Sequence, residues 1–401
     1  MTSGGPSGPL AGVRVVDLSQ IASGPYGTMI LAEQGADVIK IEPIGMGDMM
    51  RIAPIVRGGL NAAYLNLNHG KRSIALDIAA PDGRDIVLDL IDGADVVVQN
   101  FRPGVADRLG VGYDAAAART PDIVYVSISG YGPDGPLAQR AVVDPIIQGH
   151  CGIIARQQSE AIPIPDLVRN IIVDKATALN VAQGVCAALF RRERTGEGDH
   201  LEVAMLDAGL HFFWPDGMSD HTFVGDGVTP GPRIPDLYSV THCADGQLVY
   251  YSTTDEIRHG LFRAVGRPEL CDDPRFATAT ALVEGGHLEE LGAILVAAFA
   301  ELPVDVALQR LIDEDVPAGK ILDPEEVLVD EQVVHNGILV EWEHPTAGPL
   351  RQPRHAIRFG GGPLPIPQSV PHIGEHTDAV LAAIGRSGEE IAALRAAGVV
   401  A

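Results

Sequence analysis

Val13-Arg14-Val15-Val16-Asp17-Leu18, then Pro25 to Gln34 closed by Gly35, then Ala36-Asp37-Val38-Ile39-Lys40-Ile41: this stretch decides the fold. The first and last pieces are short β-branched runs and read as strands, and the piece between them reads as a helix with a glycine stop. Together they make a βαβ unit. The same alternation continues with a strand at Ser73 to Asp77, a helix at Asp82 to Ile91, a strand at Asp95 to Gln99, a helix near Tyr113 to Ala118 and a strand at Ile123 to Ser129. Strands that alternate with helices predict an α/β fold with a parallel, doubly wound, Rossmann-like sheet. The first turn, Ser19-Gln20-Ile21-Ala22-Ser23-Gly24-Pro25, lacks the Gly-x-Gly-x-x-Gly spacing of a dinucleotide fingerprint, so a nicotinamide cofactor is not expected.

Small and apolar residues recur at helical spacing from Lys175 to Arg194, and the arginine-rich end complements the negative pole of that helix before Gly196 stops it. A strand at Leu201 to Ala204 and a helix through Leu210 follow. Around 225–235 the chain turns rich in Gly and Pro, which marks a linker. The expected layout is a large domain of residues 1–200 and 338–401, a linker at 201–232 and a smaller α/β domain at 233–337.

Composition narrows the class. The 401 residues, 46% hydrophobic and 20% charged, suffice for a sizeable core. With 29 Lys plus Arg against 53 Asp plus Glu the net charge is -24, which disfavours nucleic acid and anionic lipid as partners. Cys151, Cys186, Cys243 and Cys271 are scattered, so neither a metal site nor a disulfide framework is expected. Residues 1–9 lack a signal-peptide pattern, and no uncharged apolar run reaches the roughly 18 residues of a membrane span, so a cytoplasmic location is expected.

Ligands of such a sheet sit in the loops beyond the carboxyl ends of its strands. Those loops hold Ile21 and Ala22 after the first strand, Arg51 beyond the second, Asn100-Phe101-Arg102 with Arg108 after the fourth, and Gly130 after the fifth; Lys71-Arg72 flank the third. Arg51, Lys71, Arg72, Arg102 and Arg108 together could hold a nucleotide phosphate, because guanidinium matches phosphate oxygens in a two-pronged geometry. Phe101 reads equally as a stacking face for adenine or as a core aromatic. Asp174, at the mouth of the long helix, has two possible roles: capping that helix, or attacking an acyl carbon.

Several motifs in order resemble one family: Asp37-Val38-Ile39-Lys40-Ile41-Glu42-Pro43, Gly47-Asp48-x-x-Arg51, Gly70-Lys71-Arg72-Ser73, Gln99-Asn100-Phe101-Arg102-Pro103-Gly104, Ser129-Gly130-Tyr131-Gly132 and Val316-Pro317-Ala318-Gly319. These resemble the class III CoA-transferases, which include formyl-CoA transferase, carnitine CoA-transferase and the α-methylacyl-CoA racemases. The resemblance implies that Asp174 is the catalytic aspartate, that Asn100, Phe101 and Arg108 contact coenzyme A, and that Ile21 lies near the thioester. It further implies an acyl-CoA and a carboxylic acid as substrates, no cofactor beyond coenzyme A, and a homodimer of two interlocked rings. The tetrahedral oxyanions would be held by backbone N–H groups at the helix N-terminus that carries Asp174.

The rival activity in this family is racemisation, in which a Gly-His-Asp triplet supplies a histidine. Here the triplet is Val142-Val143-Asp144, and valine cannot move a proton. His150 is a substitute base only if it reaches the site; a lone histidine is more often structural. Transfer is therefore favoured, with Asp144 among the substrate-binding residues. A silent CoA-binding relative, with Asp174 as a mere cap, is the third reading. His211-Phe212-Phe213-Trp214 would shape an acyl pocket if it were not core packing.

Overall fold

The computed structural model describes residues 8–158, 163–229, 231, 233–237 and 239–401; Pro230 and Pro232 of the expected linker lie outside them. The chain divides into two compact units, Met1–Met218 with Asn336–Ala401, and Ser219–His335.

The first unit is built on six parallel strands: β1 Arg14–Asp17, β2 Asp37–Glu42, β3 Lys71–Ala75, β4 Val96–Gln99, β5 Val124–Ser129 and β6 Asp199–Ala204. Their spatial order is 3-2-1-4-5-6, with all neighbours parallel. Runs such as Val96-Val97-Val98, fully buried, suit strands that are covered on both faces. Alternate residues serve opposite layers. Val15, Val38, Val96, Val98, Val124 and Val126 face helices α1 (Ser23–Glu33) and α4 (Ile172–Thr195). Val16, Ile39, Ile74, Val97 and Tyr125 face α2 (Pro81–Ile91) and the C-terminal helices Thr377–Ala383 and Gly388–Ala396. Each such aliphatic side chain contributes roughly 1.5–3 kcal/mol by burial. Two further helices complete the surroundings of the site, α3 (Asp144–His150) and α5 (Met205–Gly217).

The strand order reverses between β1 and β4, and at that switch the loops after the two strands diverge and leave a crevice. On the α1 side α4 approaches closely, because position 27 is glycine: a Cβ there would sit 3.0 Å from Val181 Cγ1 and 3.2 Å from the Ala178 carbonyl oxygen. This contact sets the depth at which the start of α4 meets the start of α1.

The expectation for the third strand needs correcting. Its strand begins at Lys71, not Ser73, so Lys71 and Arg72 lie within the sheet at its amino end, away from the crevice.

The second unit carries a three-stranded antiparallel sheet, in the order Ala318–Lys320, Gln247–Tyr250, Thr241–His242, with helices Asp255–Ala264, Leu288–Ala300 and Val304–Asp313 around a core that includes Leu248, Phe262, Phe276 and Phe299. Among the described residues no single helix is long and apolar enough to cross a membrane.

Candidate active site

Asp174 is the third residue of α4 and only 7% exposed. It does not cap that helix. Its own backbone N–H and that of Val173 donate to Asp144 Oδ2, at 3.0 and 2.7 Å, so the cap comes from a buried carboxylate 30 residues upstream. Asp144 is held in turn by Gln148, whose Nε2 donates to its Oδ1 at 2.6 Å and also reaches the carbonyl oxygens of Val168 and Asn170. Gln148 thereby fastens the segment that enters α4.

Two sequence expectations change here. Asp144, expected among the substrate-binding residues, is 1% exposed, caps α4 and is not among the described residues that line the cleft. The first N–H groups of α4 are likewise occupied by Asp144, so they are not the donors for an oxyanion. The donors that face Asp174 come from α1: Ser23 lines the same cleft, and its backbone N–H and hydroxyl favour the ionised form of the Asp174 carboxyl. α1 lacks a side-chain N-cap of its own, and Asp174 lies in the cleft at its N-terminus, where the helix dipole favours a negative charge. Burial, then the neighbouring Asp144 charge, push the Asp174 carboxyl up to about 7, against the Ser23 hydrogen bonds, which favour its ionised form.

The loop between β1 and α1 is fixed by four side chains, those of Asp17, Lys40, Asn100 and Asp48. Ser19 N–H donates to Asp17 Oδ1 at 2.9 Å, and Lys40 Nζ donates to the Ser19 carbonyl oxygen at 2.8 Å. Asn100 clamps Gln20 at both ends: Oδ1 accepts from its N–H at 2.9 Å and Nδ2 donates to its carbonyl at 2.7 Å. Ile21 N–H donates to Asp48 Oδ1 at 3.0 Å, and Ile21 itself stands at φ 71°, a conformation that a β-branched residue rarely adopts. Ala22, 1% exposed, is buried behind the site.

Asp174, Ser23, Ile21, Phe101, Arg102 and Arg140 share a cleft of about 210 Å³, and Asn100, Gly130 and Met205 also line it. Gly130 is required by crowding, since a Cβ there would meet Val142 Cγ1 at 2.6 Å. Phe101 packs partly against the sheet core and also borders a second cavity of about 380 Å³, formed by Gln20, Pro43, Ile44, Asp77 and Ile78 at the carboxyl ends of β1, β2 and β3. Both sequence readings of Phe101 therefore have a physical basis.

The basic residues separate into two groups. Arg102, Arg108 and Arg140 are exposed and have no acidic partner among the described residues. The other three are engaged with carboxylates of the protein and correct the expected phosphate cluster. Lys71 is fully buried, and its Nζ donates to Asp17 Oδ2, Asn68 Oδ1 and the Pro25 carbonyl at 2.8 to 2.9 Å, so no proton is left for a ligand. Arg72 forms a two-pronged pair with Asp37 at 2.6 and 3.0 Å. Arg51 does the same with Glu42 and lies 3.7 Å over the Tyr64 ring. Sequence reasoning missed Ser23, Asp48 as an anchor, and Arg140. The first is signalled by its place at the start of the helix after β1; Arg140 carries no signal in its Ala/Pro-rich loop.

His150 ends α3 and pairs with the Tyr131 hydroxyl at 3.3 Å, and the cleft that holds Asp174 has no histidine among its described lining residues. Within His211 to Trp214, Phe212 and Trp214 are exposed, and none of the four borders the cleft.

This sheet, its switch-point crevice and the motifs around it are those of an acyl-CoA-handling family, and the chain belongs to CoA-transferase family III, which matches residues 10–377. It is 31% identical over 402 residues to the succinyl-CoA:glutarate CoA-transferase of Homo sapiens, covering 98% of this chain and 90% of that one. It is also 31% identical over 412 residues to the formyl-CoA:oxalate CoA-transferase of Streptomyces coelicolor, covering 98% and 99%. A solved CAIB/BAIF family protein from Brucella suis superimposes with a TM-score of 0.81 at 31% identity, over 94% of this chain and 99% of that one.

Proposed function

We propose that this protein moves coenzyme A from an acyl-CoA thioester to a free carboxylic acid, with Asp174 as the nucleophile. One observation carries the reading: the Asp174 carboxylate faces a cleft at the N-terminus of α1, while Asp144 performs the capping that would otherwise account for an aspartate there. A carboxylate oxygen of Asp174 bonds to the acyl carbon and the C–S bond breaks, giving a mixed anhydride and CoA thiolate. The thiolate attacks the Asp174 carbonyl, releasing the donor acid and leaving an aspartyl-CoA thioester. The acceptor carboxylate attacks that thioester, forming a second anhydride and freeing the thiolate again. Attack of the thiolate on the acceptor acyl carbon yields the new acyl-CoA and restores Asp174. One thioester replaces another, so the chemistry requires neither ATP nor a metal.

The Ser23 donors hold the resting carboxylate, and they hold the same oxygen when thiolate adds to the Asp174 carbonyl and charge gathers on it. One such donor is worth roughly 10²–10³ in kcat. The free arginines, Arg102, Arg108 and Arg140, suit the phosphates of coenzyme A, and the cavity beside Phe101 suits its adenine. The relatives named for glutarate and oxalate support a small dicarboxylic acid as acceptor.

The test is covalent trapping. Incubation with acyl-CoA followed by hydroxylamine, read by peptide mass spectrometry, is expected to mark Asp174, whereas exchange of CoA between acids without any mark there would end this mechanism. A silent CoA-binding relative predicts neither exchange nor adduct.

The assembly proposed is a homodimer of interlocked rings. An apolar cavity of about 1050 Å³ within the first unit, bordered by Tyr26, Met29, Leu179, Ile338 and Ile357, supports it, as do Ile55 and Phe190, 81% and 64% exposed. Light scattering after gel filtration is expected to give twice the chain mass, and a monomer at working concentration would refute the dimer.

A further inference from the structure

Five consecutive backbone polar groups, from Ser19 N–H to Ile21 N–H, are all held by side chains, and three of these side chains, Asp17, Lys40 and Asp48, are fully buried charges. Lys40 Nζ pairs with Asp48 Oδ2 at 2.8 Å and donates to the Ser19 carbonyl; Asp48 Oδ1 accepts from both Ile21 N–H and Met50 N–H, at 3.0 and 2.8 Å. Asp48 is itself fixed, since its N–H donates to Glu42 Oε2 at 2.9 Å. A buried ion pair is a poor source of stability, because apolar residues of similar volume commonly replace it without loss. This pair does something an apolar pair cannot: it supplies an acceptor to the one strained β-branched residue of the crevice. A left-handed non-glycine residue is strained and persists only where its surroundings over-determine it. The strained residue is two positions before Ser23, whose N–H and hydroxyl meet Asp174.

We infer that Asp48, braced by Lys40, is a positioning residue of the transfer site: its Oδ1 locks the Ile21 bend, and the bend aims the Ser23 donors at the Asp174 carboxyl. This rests on the transferase reading above. Neither Asp48 nor Lys40 borders the cleft that holds Asp174, so they act on the reaction only through the loop.

Two double variants isolate the acceptor oxygen. Lys40→Met with Asp48→Asn removes both charges and keeps an oxygen for the Ile21 N–H; Lys40→Met with Asp48→Ala removes both charges and that oxygen. Single-turnover formation of the Asp174 adduct is expected to be about 10- to 100-fold slower in the alanine form than in the asparagine form, with KM for acyl-CoA within about threefold, because a misplacement on the order of 1 Å costs about that much. Equal adduct rates in the two folded variants would overturn the inference. Should neither fold, Ile21→Gly against Ile21→Ala replaces them: both lose the side chain, but only glycine takes the left-handed bend without strain. The alanine form is expected to react about tenfold more slowly than the glycine form, and equal rates refute the role. If the unsubstituted protein exchanges CoA with no adduct on Asp174, the nucleophile reading fails, and the positioning role falls with it.

Discussion

Asp174→Asn is expected to lower CoA exchange by at least about 10³-fold and to abolish the hydroxylamine-sensitive adduct, with melting temperature unchanged or raised. The amide keeps the shape of the side chain but is a far weaker nucleophile, and residues that form the covalent bond commonly account for losses of this order or more. Stability holds because α4 keeps its cap from Asp144 and loses a carboxylate whose ionised form burial disfavours. The sign follows from the shift. A carboxyl raised to about 7 in the folded protein, against 3.8 for the free group, favours the fold most while protonated, so its contribution is full below about pH 4 and disappears as pH rises through 7. Activity runs the other way, because the nucleophile is the carboxylate: about a tenth of Asp174 is ionised at pH 6 and about nine tenths at pH 8. Single-turnover adduct formation should therefore rise through a midpoint near 7. Asp144→Asn, which keeps an oxygen for the α4 cap and removes a charge, should move that midpoint down. A midpoint that stays in place would show that burial alone sets it.

The second large effect is on folding. Lys71→Met is expected to destabilise the first unit by about 3–5 kcal/mol, read as a lower denaturation midpoint in urea. The loss comes from Asp17, fully buried, which Lys71 meets at 2.9 Å. Burial opposes ionisation of Asp17, and Lys71, ahead of Lys40, Ser19 and Thr28, holds its carboxyl well below the usual carboxylate range, so taking Lys71 away leaves a fully buried carboxyl without its strongest support. Arg72→Ala, one residue along, breaks a pair that is about one-third exposed on each side and should cost less than about 1 kcal/mol. Similar losses for the two variants would show that Asp17 does not depend on Lys71.

That contrast shows where sequence reading stops. The sheet is legible because Val15-Val16, Val38-Ile39 and Val96-Val97-Val98 leave no polar position to face water, and strands of that kind belong between two helical layers. Lys71 and Arg72 carry the same charge in adjacent positions, and nothing local says that one turns into the protein while the other turns toward Asp37. The start of α4 was equally hidden. Sequence periodicity places it at Lys175, but the helix begins at Ile172 because Asp144 supplies a cap from 30 residues away, and such long-range hydrogen bonds leave no mark in a local window. Asp48 is visible as part of Gly47-Asp48-x-x-Arg51, though its target, the Ile21 N–H, emerges only once β1 and β2 lie side by side. The crevice follows from strand order, and its position between β1 and β4 requires the whole sheet to be assembled.

The cap borrowed by α4 has a consequence for how the molecule comes together. A helix that starts with its own Ser or Asp can nucleate alone, whereas this one lacks its closing acceptor until α3 has docked and Gln148 has gripped the Val168 to Asn170 stretch. The Asp174 carboxyl therefore reaches its place in the cleft only when α3 and the start of α4 have come together, and under the proposed mechanism an unfinished fold presents no activated aspartate to passing thioesters.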